Sequence, residues 1–208
     1  SALLERAALD PSPRVRQRLA ATAHLAWDEG GDRALTRLAQ QDPDPAVRAA
    51  AILGLQEVCA DGNRSSKGQA LLQSVLTHET DPFVVRTALH VLERLGDAIG
   101  PERIASLCDS FLPILEDLPA SHANLSVRRW SAQTREYLWC SSHPPTREAL
   151  SLILSLRDQI PEGGHRAAPG LEGLPEPVLG RALSVAARRD FGLSLGRMRG
   201  HLHLHRGE

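Results

Sequence analysis

The sequence is poor in aromatic residues and in cysteine. Phe, Trp and Tyr together make up only 3% of its 208 residues, and the three cysteines are Cys59, Cys108 and Cys140. A chain so rich in Ala and Leu and so poor in rings favours thin layers of helix over one large central core. The cysteines lie far apart and match no metal-ligand spacing. Because so few cysteines are typical of a reducing compartment, we expect a cytoplasmic protein.

The chain also lacks a dominant charge and a long apolar run. Its formal net charge is −1 at pH 7, which gives no overall attraction to nucleic acid. No apolar run approaches the roughly 20 residues that a membrane-spanning helix needs, and no signal peptide opens the sequence. We therefore expect neither a membrane partner nor a nucleic-acid partner. We also expect the chain to be a segment of a larger protein or complex.

Motifs of the common catalytic sites are missing as well. We find no Gly-rich phosphate loop, nucleophile elbow or acid pair at a recognisable spacing. Near the C-terminus His201, His203 and His205 alternate with leucine, and on a strand they could share a metal. No cysteine or carboxylate stands at ligand spacing nearby, so a solvated tail is the better interpretation. We expect no enzyme, no cofactor and no metal.

What the chain does contain is a repeated phrase. Asp-Pro-Ser-Pro-Arg-Val-Arg at 10–16 returns as Asp-Pro-Asp-Pro-Ala-Val-Arg at 42–48. A looser copy stands at 81–86 and a faint one at 124–128, and the final arginines of the copies are 32, 38 and 42 residues apart. Repeats of this period predict a stacked array in which each unit buries its apolar face against its neighbours.

Each phrase predicts the end of one helix and the start of the next. Proline cannot continue a helix, and aspartate suits a helix N-cap. Apolar residues follow at helical spacing, as in Val47, Ala51, Leu55 and Val58, and a second apolar helix precedes each phrase. We predict an all-α fold, an αα-superhelix (a solenoid) of about four to five helix pairs, with at least eight helices and no sheet.

The segment 42–55, Asp-Pro-Asp-Pro-Ala-Val-Arg-Ala-Ala-Ala-Ile-Leu-Gly-Leu, resembles the second helix of a HEAT repeat. It is most similar to the short bacterial kind, also seen in bilin-lyase-like proteins. The resemblance is good over 10–96 and weaker to 140. It implies that acids and arginines of the motif form a structural ladder between successive repeats, made of Asp10, Arg16, Asp42, Arg48, Asp81, Arg86 and Arg128.

Two details of this ladder can be checked in a structure. We expect Asp42 to cap the helix that begins near Pro45, and Arg48 to point along the stack toward a neighbouring repeat. In the third copy Asp81 stands closer to its valine, so Thr80 is a candidate for the cap there.

Composition divides the chain into three parts. Residues 1–160 hold the HEAT-like repeat array, and 161–177 are rich in proline and glycine, as expected of a loop or linker. Residues 178–208 predict a terminal helix followed by a basic, histidine-containing tail.

The resemblance implies that the second helix of each repeat lines the inner, concave surface. Aligning the copies on their Val-Arg pair, the positions two, six and nine after the valine lie outside the apolar stripe. They form a mixed polar row, which suits a protein or peptide partner better than a nucleic-acid backbone. We predict binding there, strongest toward the C-terminal half, by Arg94, Arg129, Trp130, Gln133, Glu136, Gln17, His24 and Gln56.

The sequence leaves several alternatives open. Trp130 serves equally well as an interface anchor or as core filling. The chain could be a bilin-lyase-like or other enzyme accessory subunit, a nucleic-acid binder of the DNA-alkylation-repeat type, or an enzyme of unrecognised chemistry. Our first hypothesis is a non-catalytic scaffold for protein–protein interaction.

Overall fold

The computed structural model describes residues 2–61, 64–99, 101–157 and 175–189. Within these ranges the chain forms ten α-helices and no strand, which confirms the predicted all-α fold. The helices are α1 (Ala2–Ala7), α2 (Pro13–Thr22), α3 (Gly31–Gln41), α4 (Pro45–Ala60), α5 (Ser65–His78), α6 (Pro82–Ala98), α7 (Pro101–Ser121), α8 (Leu125–Ser142), α9 (Pro144–Arg157) and α10 (Glu176–Arg189).

The Asp-Pro pairs set where the second helices begin. Asp44 is the N-cap of α4, and its carboxylate accepts the Ala46 N–H at 2.8 Å. Asp81 caps α6 in the same way, accepting the N–H groups of the two residues after Pro82. The expectation that Asp42 caps α4 is therefore wrong, and so is Thr80 as the cap of α6. The capping carboxylate must stand directly before the first helical residue, which in both helices is a proline.

The structure divides into two compact units, residues 1–135 and 136–208. In the first unit α2, α4 and α6 pack side by side as one layer, and α3, α5 and α7 form the other. Helices also pack across the layers, α3 on α4 and α5 on α6. This is the arrangement of helix pairs that the repeated phrase predicts.

The core of the first unit is a ribbon between these layers. The apolar stripe of α4 is buried along its whole length, and the stripe of α6 likewise. In the first repeat the equivalent stripe is exposed at its start: Val15 is 43% exposed, whereas its counterpart Val47 is 1% exposed, and Ala23 further along is 2% exposed. The reason is position, because α2 packs against only one other second helix, α4.

The first repeat also departs from a straight second helix. α2 ends at Thr22, and a 3-10 helix, Ala23–Glu29, follows. Gly30 then adopts a φ of 103°, in the left-handed region that favours glycine. The next residue, Gly31, lies so close to Ala23 that a Cβ on it would stand 2.1 Å from the Ala23 carbonyl oxygen. The chain reverses into α3 within these few residues.

In the second unit α10 packs on α9 as a fifth helix pair, within the four to five pairs predicted. A further copy of the phrase, not recognised from the sequence, opens α10: Pro175-Glu176-Pro177 matches Pro43-Asp44-Pro45. Of the predicted loop at 161–177, residues up to 174 lie outside the described ranges. The same holds for the histidine-containing tail beyond Arg189.

No helix in the described parts of the chain combines the length and apolar character that crossing a membrane would require.

Candidate functional site: an arginine ladder and an exposed row

The first two repeats are tied together by Arg16. Its Nε donates to Asp42 Oδ2 at 2.7 Å and its Nη2 donates to Oδ1 at 3.0 Å. The two side chains are only 10% and 2% exposed. Arg16 Nη1 donates to the carbonyl oxygen of Asp10 at 2.8 Å, so one guanidinium holds its own loop and the next. The Asp10 carboxylate accepts the Ser12 N–H within that loop.

The second and third repeats are tied by Arg48, which points along the stack. Its Nε and Nη2 donate to the two oxygens of Glu79 at 2.7 and 3.1 Å. Its Nη1 donates to the carbonyl oxygen of Asp42 at 2.8 Å. The resemblance put Asp81 in this ladder, but Asp81 caps α6, and Glu79 takes its place as the acceptor.

A shared pattern explains this exchange. The acid that accepts the arginine stands two residues before the cap, as Asp42 does before Asp44 and Glu79 before Asp81. In both loops the acid also accepts the N–H of the capping residue, at 3.0 and 2.9 Å. The repeated unit is therefore a three-residue pattern: an acidic residue, any residue, and the capping residue. In the third repeat the sequence already shows this pattern, as Glu79 and Asp81.

Both ladder acids stay ionised to low pH. Burial alone would raise the pKa of Asp42, but the bonds from Arg16 and from the Asp44 N–H outweigh it and hold the pKa below its ordinary value. Burial likewise opposes ionisation of Glu79, and the bonds from Arg48 and the Asp81 N–H again lower its pKa.

The ladder changes at the third step. Arg86 stands five residues after its cap, Asp81, whereas Arg48 stands four residues after Asp44. One extra residue turns a side chain by about 100° around the helix. Arg86 is exposed, and its guanidinium carbon lies 4.8 Å from the ring centroid of Trp130. Arg86 therefore does not join two repeats through a carboxylate, as the resemblance implied.

An imidazole links the third and fourth repeats instead. His122 stands two residues before Asn124, the position that Asp42 holds before Asp44. Its Nδ1 accepts the Asn124 N–H at 3.3 Å, so its Nε2 carries the proton, and Nε2 lies 3.1 Å from the carbonyl oxygen of Thr80. Arg128 donates from Nε to the carbonyl oxygen of His122 at 2.8 Å and so holds its own loop.

The residues of the predicted row fall in several environments. In the first repeat Gln17 is exposed on α2, whereas His24 is half-buried in the 3-10 helix, so the two do not share one helix. Gln56 is half-buried on α4, and on α8 Gln133 is half-buried. Arg94 on α6 and Arg129 on α8 are exposed. The row is interrupted where its apolar members Ala49 and Val91 are buried.

Helices α6 and α8 meet at this row. Trp130 is half-buried, with Arg86 over its ring. One turn further along α8, Thr134 Oγ1 donates to Glu93 Oε1 at 2.8 Å. The structure therefore brings Arg86 and Trp130 together, and Arg94 and Arg129 lie on the same two helices.

Glu136 belongs to the second unit and is engaged there. Arg181 of α10 donates from Nε to Glu136 Oε1, and from Nη2 to Glu136 Oε2 at 3.2 Å. The same guanidinium lies 3.5 Å from the ring centroid of Trp139, which stacks on His143 at 3.7 Å. Sequence reasoning missed this cluster because 45 residues separate the two partners.

A cavity of about 330 Å³ opens beside the second ladder step, between the ends of α3 and α5. Its walls include Gln40, Ser74 and His78, together with the paired Arg48 and Glu79. His78 Nδ1 is bonded to the Ser74 carbonyl oxygen at 2.8 Å. The Arg48 and Glu79 side chains in its wall are paired with each other, and the Asp42 carboxylate is paired with Arg16.

The described residues contain no group of three His, Cys, Asp or Glu side chains that could hold a metal ion. All three cysteines are buried and unbridged. Burial raises the pKa of the Cys59 thiol to about 12, so it stays protonated at neutral pH.

Comparison with known proteins agrees with the repeat architecture. No curated protein and no solved structure matches the chain. Residues 32–134 match the family model for HEAT repeats, a range that runs from α3 into α8. Together with the helix pairs, this match shows that the chain belongs, over that range, to the HEAT-repeat family.

Proposed function

We propose that this chain is a non-catalytic scaffold that binds a protein or peptide partner through the exposed, inner face of its second helices. HEAT repeats generally serve as protein-interaction scaffolds, and the family is typically non-catalytic. The second helices here are α2, α4, α6 and α8. We place the strongest binding on α6 and α8.

The observation that carries this proposal is the contrast between two sets of arginines. Arg16 and Arg48 are buried or half-buried, and both are committed to carboxylates of the ladder. Arg94 and Arg129 are exposed, and in the described ranges neither forms an ion pair. Arginine and tryptophan are enriched at binding hot spots, and Trp130 follows Arg129 on α8.

The earlier repeats supply contacts of another kind. On α4 Leu53 is 49% exposed, in the row position that Val91 occupies on α6. An exposed leucine next to half-buried Gln56 suits an apolar contact with limited specificity. We expect this end of the row to add area, and α6 and α8 to select the partner.

The test compares partner capture by wild-type chain and by the double variant Arg94→Ala/Arg129→Ala. A matched control is Arg6→Ala/Arg37→Ala, which removes two exposed arginines from α1 and α3, outside the second helices. Quantitative mass spectrometry of captured proteins should show a specific partner lost from the row variant and kept by the control. Equal capture by all three chains, with equal helicity by circular dichroism, would refute the proposed surface.

A further inference from the structure

The third ladder step leaves Arg86 without a structural carboxylate. At the two preceding steps a guanidinium joins an acid of the next loop, as Arg48 joins Glu79. At the third step His122 occupies the position of that acid, and its imidazole bonds directly to the carbonyl oxygen of Thr80, without an arginine. In the part of the chain that the structure describes, Arg86 takes part in no ion pair, and its contact is the face of Trp130.

The stacked guanidinium is well placed to bind an anion. A guanidinium that lies over an indole ring is attracted by the ring's face. Its N–H groups point outward in its own plane, where two of them can donate to one carboxylate. Contact with the ring restricts the motion of the group, so less freedom is lost when an anion binds. The contact between Arg86 and Trp130 therefore has the chemistry that binding of a carboxylate requires.

The surroundings favour an acidic segment with apolar neighbours. Arg94 stands two turns along α6, and Arg129 adjoins Trp130 on α8, both exposed. At the starts of the same helices two large apolar side chains are exposed, Phe83 at 57% and Leu125 at 76%.

The negative charges on these helices are partly engaged. Glu93 accepts from Thr134, and Glu136 is paired with Arg181. Asp97 lies one turn beyond Arg94, toward the end of α6. At the start of α6 the Asp81 carboxylate accepts the N–H groups of Phe83 and Val84. Beside it, the exposed side chains of these two helices include the three arginines Arg86, Arg94 and Arg129.

On these grounds, and resting on the proposed function, we propose that Arg86, stacked on Trp130, is a binding residue for a carboxylate in an acidic, leucine- or phenylalanine-containing segment of the partner. Arg94 and Arg129 bind further carboxylates of the same segment. A nucleic acid fits less well, because affinity for its backbone requires many cations, and the net charge of this chain is −1.

The first measurement separates a binding role from a structural one. The same substitution is made at two positions, Arg86→Gln and Arg48→Gln, in the full chain. Urea unfolding should give a midpoint close to wild type for Arg86→Gln, which loses only an exposed contact with a ring, and a clearly lower midpoint for Arg48→Gln. A comparable loss for both variants would overturn the inference, because Arg86 would then stabilise the fold as Arg48 does.

The second measurement uses a defined probe, the fluorescein-labelled peptide Glu-Asp-Leu-Glu-Glu-Phe-Asp-Glu. Its counterpart carries Gln and Asn in place of the acids. We expect the acidic peptide to bind the full chain more tightly than its counterpart, by fluorescence anisotropy. Arg86→Gln should weaken binding about tenfold, the effect of losing a hydrogen bond to a charged group. Arg86→Lys should also weaken it, because lysine lacks the planar fork, and Arg37→Gln should leave it unchanged.

Each outcome decides something. If Arg94→Ala/Arg129→Ala abolishes peptide binding while Arg86→Gln does not, the role of Arg86 is refuted and the proposed surface stands. If neither variant changes peptide binding, the acidic-segment inference is refuted, and the partner-capture comparison decides separately on the proposed surface. Equal binding of the acidic and amide peptides, or tighter Arg86-dependent binding of a single-stranded oligonucleotide, overturns the acidic-segment partner.

Discussion

Replacing Glu79 by Gln should cost the fold about 2 kcal/mol at pH 7, taking the lower range for hydrogen bonds to charged groups and allowing for partial solvent screening. The Glu79 side chain is 10% exposed. Its Oε2 accepts from Arg48, and its Oε1 accepts from Arg48 and from the N–H groups of Thr80 and Asp81. A glutamine has one acceptor oxygen, so in either orientation its NH₂ group faces a donor.

The assay is urea unfolding followed by far-UV circular dichroism, with Glu116→Gln as the control. Glu116 is exposed on α7, so its replacement should stay within about 0.5 kcal/mol of wild type. The pH dependence gives a second check. Because the pKa of Glu79 is lowered in the fold, its stabilisation is complete above the unfolded value of about 4.3 and is lost as pH falls through the folded value.

The difference between wild type and Glu79→Gln should therefore shrink as the pH falls from 7 to about 3. A difference that persists undiminished at acid pH would refute the electrostatic reasoning. A difference below about 0.5 kcal/mol at pH 7 would refute the structural importance of the second ladder step.

Three other predictions follow from the fold. Asp44→Ala removes the N-cap of α4 and should lower the unfolding free energy by about 1 kcal/mol, measured by the same urea titration; an unchanged value would contradict the cap assignment. Gly31→Ala should destabilise by about 2 kcal/mol or more, seen as a lower melting temperature, because its Cβ would meet the Ala23 carbonyl oxygen at 2.1 Å. With a pKa of about 12 and full burial, Cys59 should resist thiol reagents at pH 8 until the chain unfolds, and rapid labelling of the native chain, located by mass spectrometry, would contradict this.

The helix pairs were predictable because their signals are local. Proline marks each helix start, and the stripe Val47, Ala51, Leu55 and Val58 repeats at helical spacing on one face. In the first repeat the start of this stripe is exposed, for a reason that no local pattern contains. Val15 has the same spacing as Val47 but stays exposed, because burial depends on which helix packs beside it.

The site was less predictable because single-residue offsets decide it. Aligning the third copy on its Val-Arg pair made Arg86 equivalent to Arg48, whereas aligning it on the cap Asp81 shows one extra residue. That residue turns Arg86 out of the ladder and onto Trp130. Contacts between distant segments, such as Arg181 with Glu136, leave no signal in one sequence.

Amide hydrogen exchange on the full chain, alone and with the captured partner, tests the binding surface most directly. We expect the partner to slow exchange in peptides from α6 and from residues 125–135 of α8, while α3 and α5 exchange as in the free chain. Slowed exchange confined to the first helices, α3, α5 and α7, would contradict the assignment of binding to the second helices.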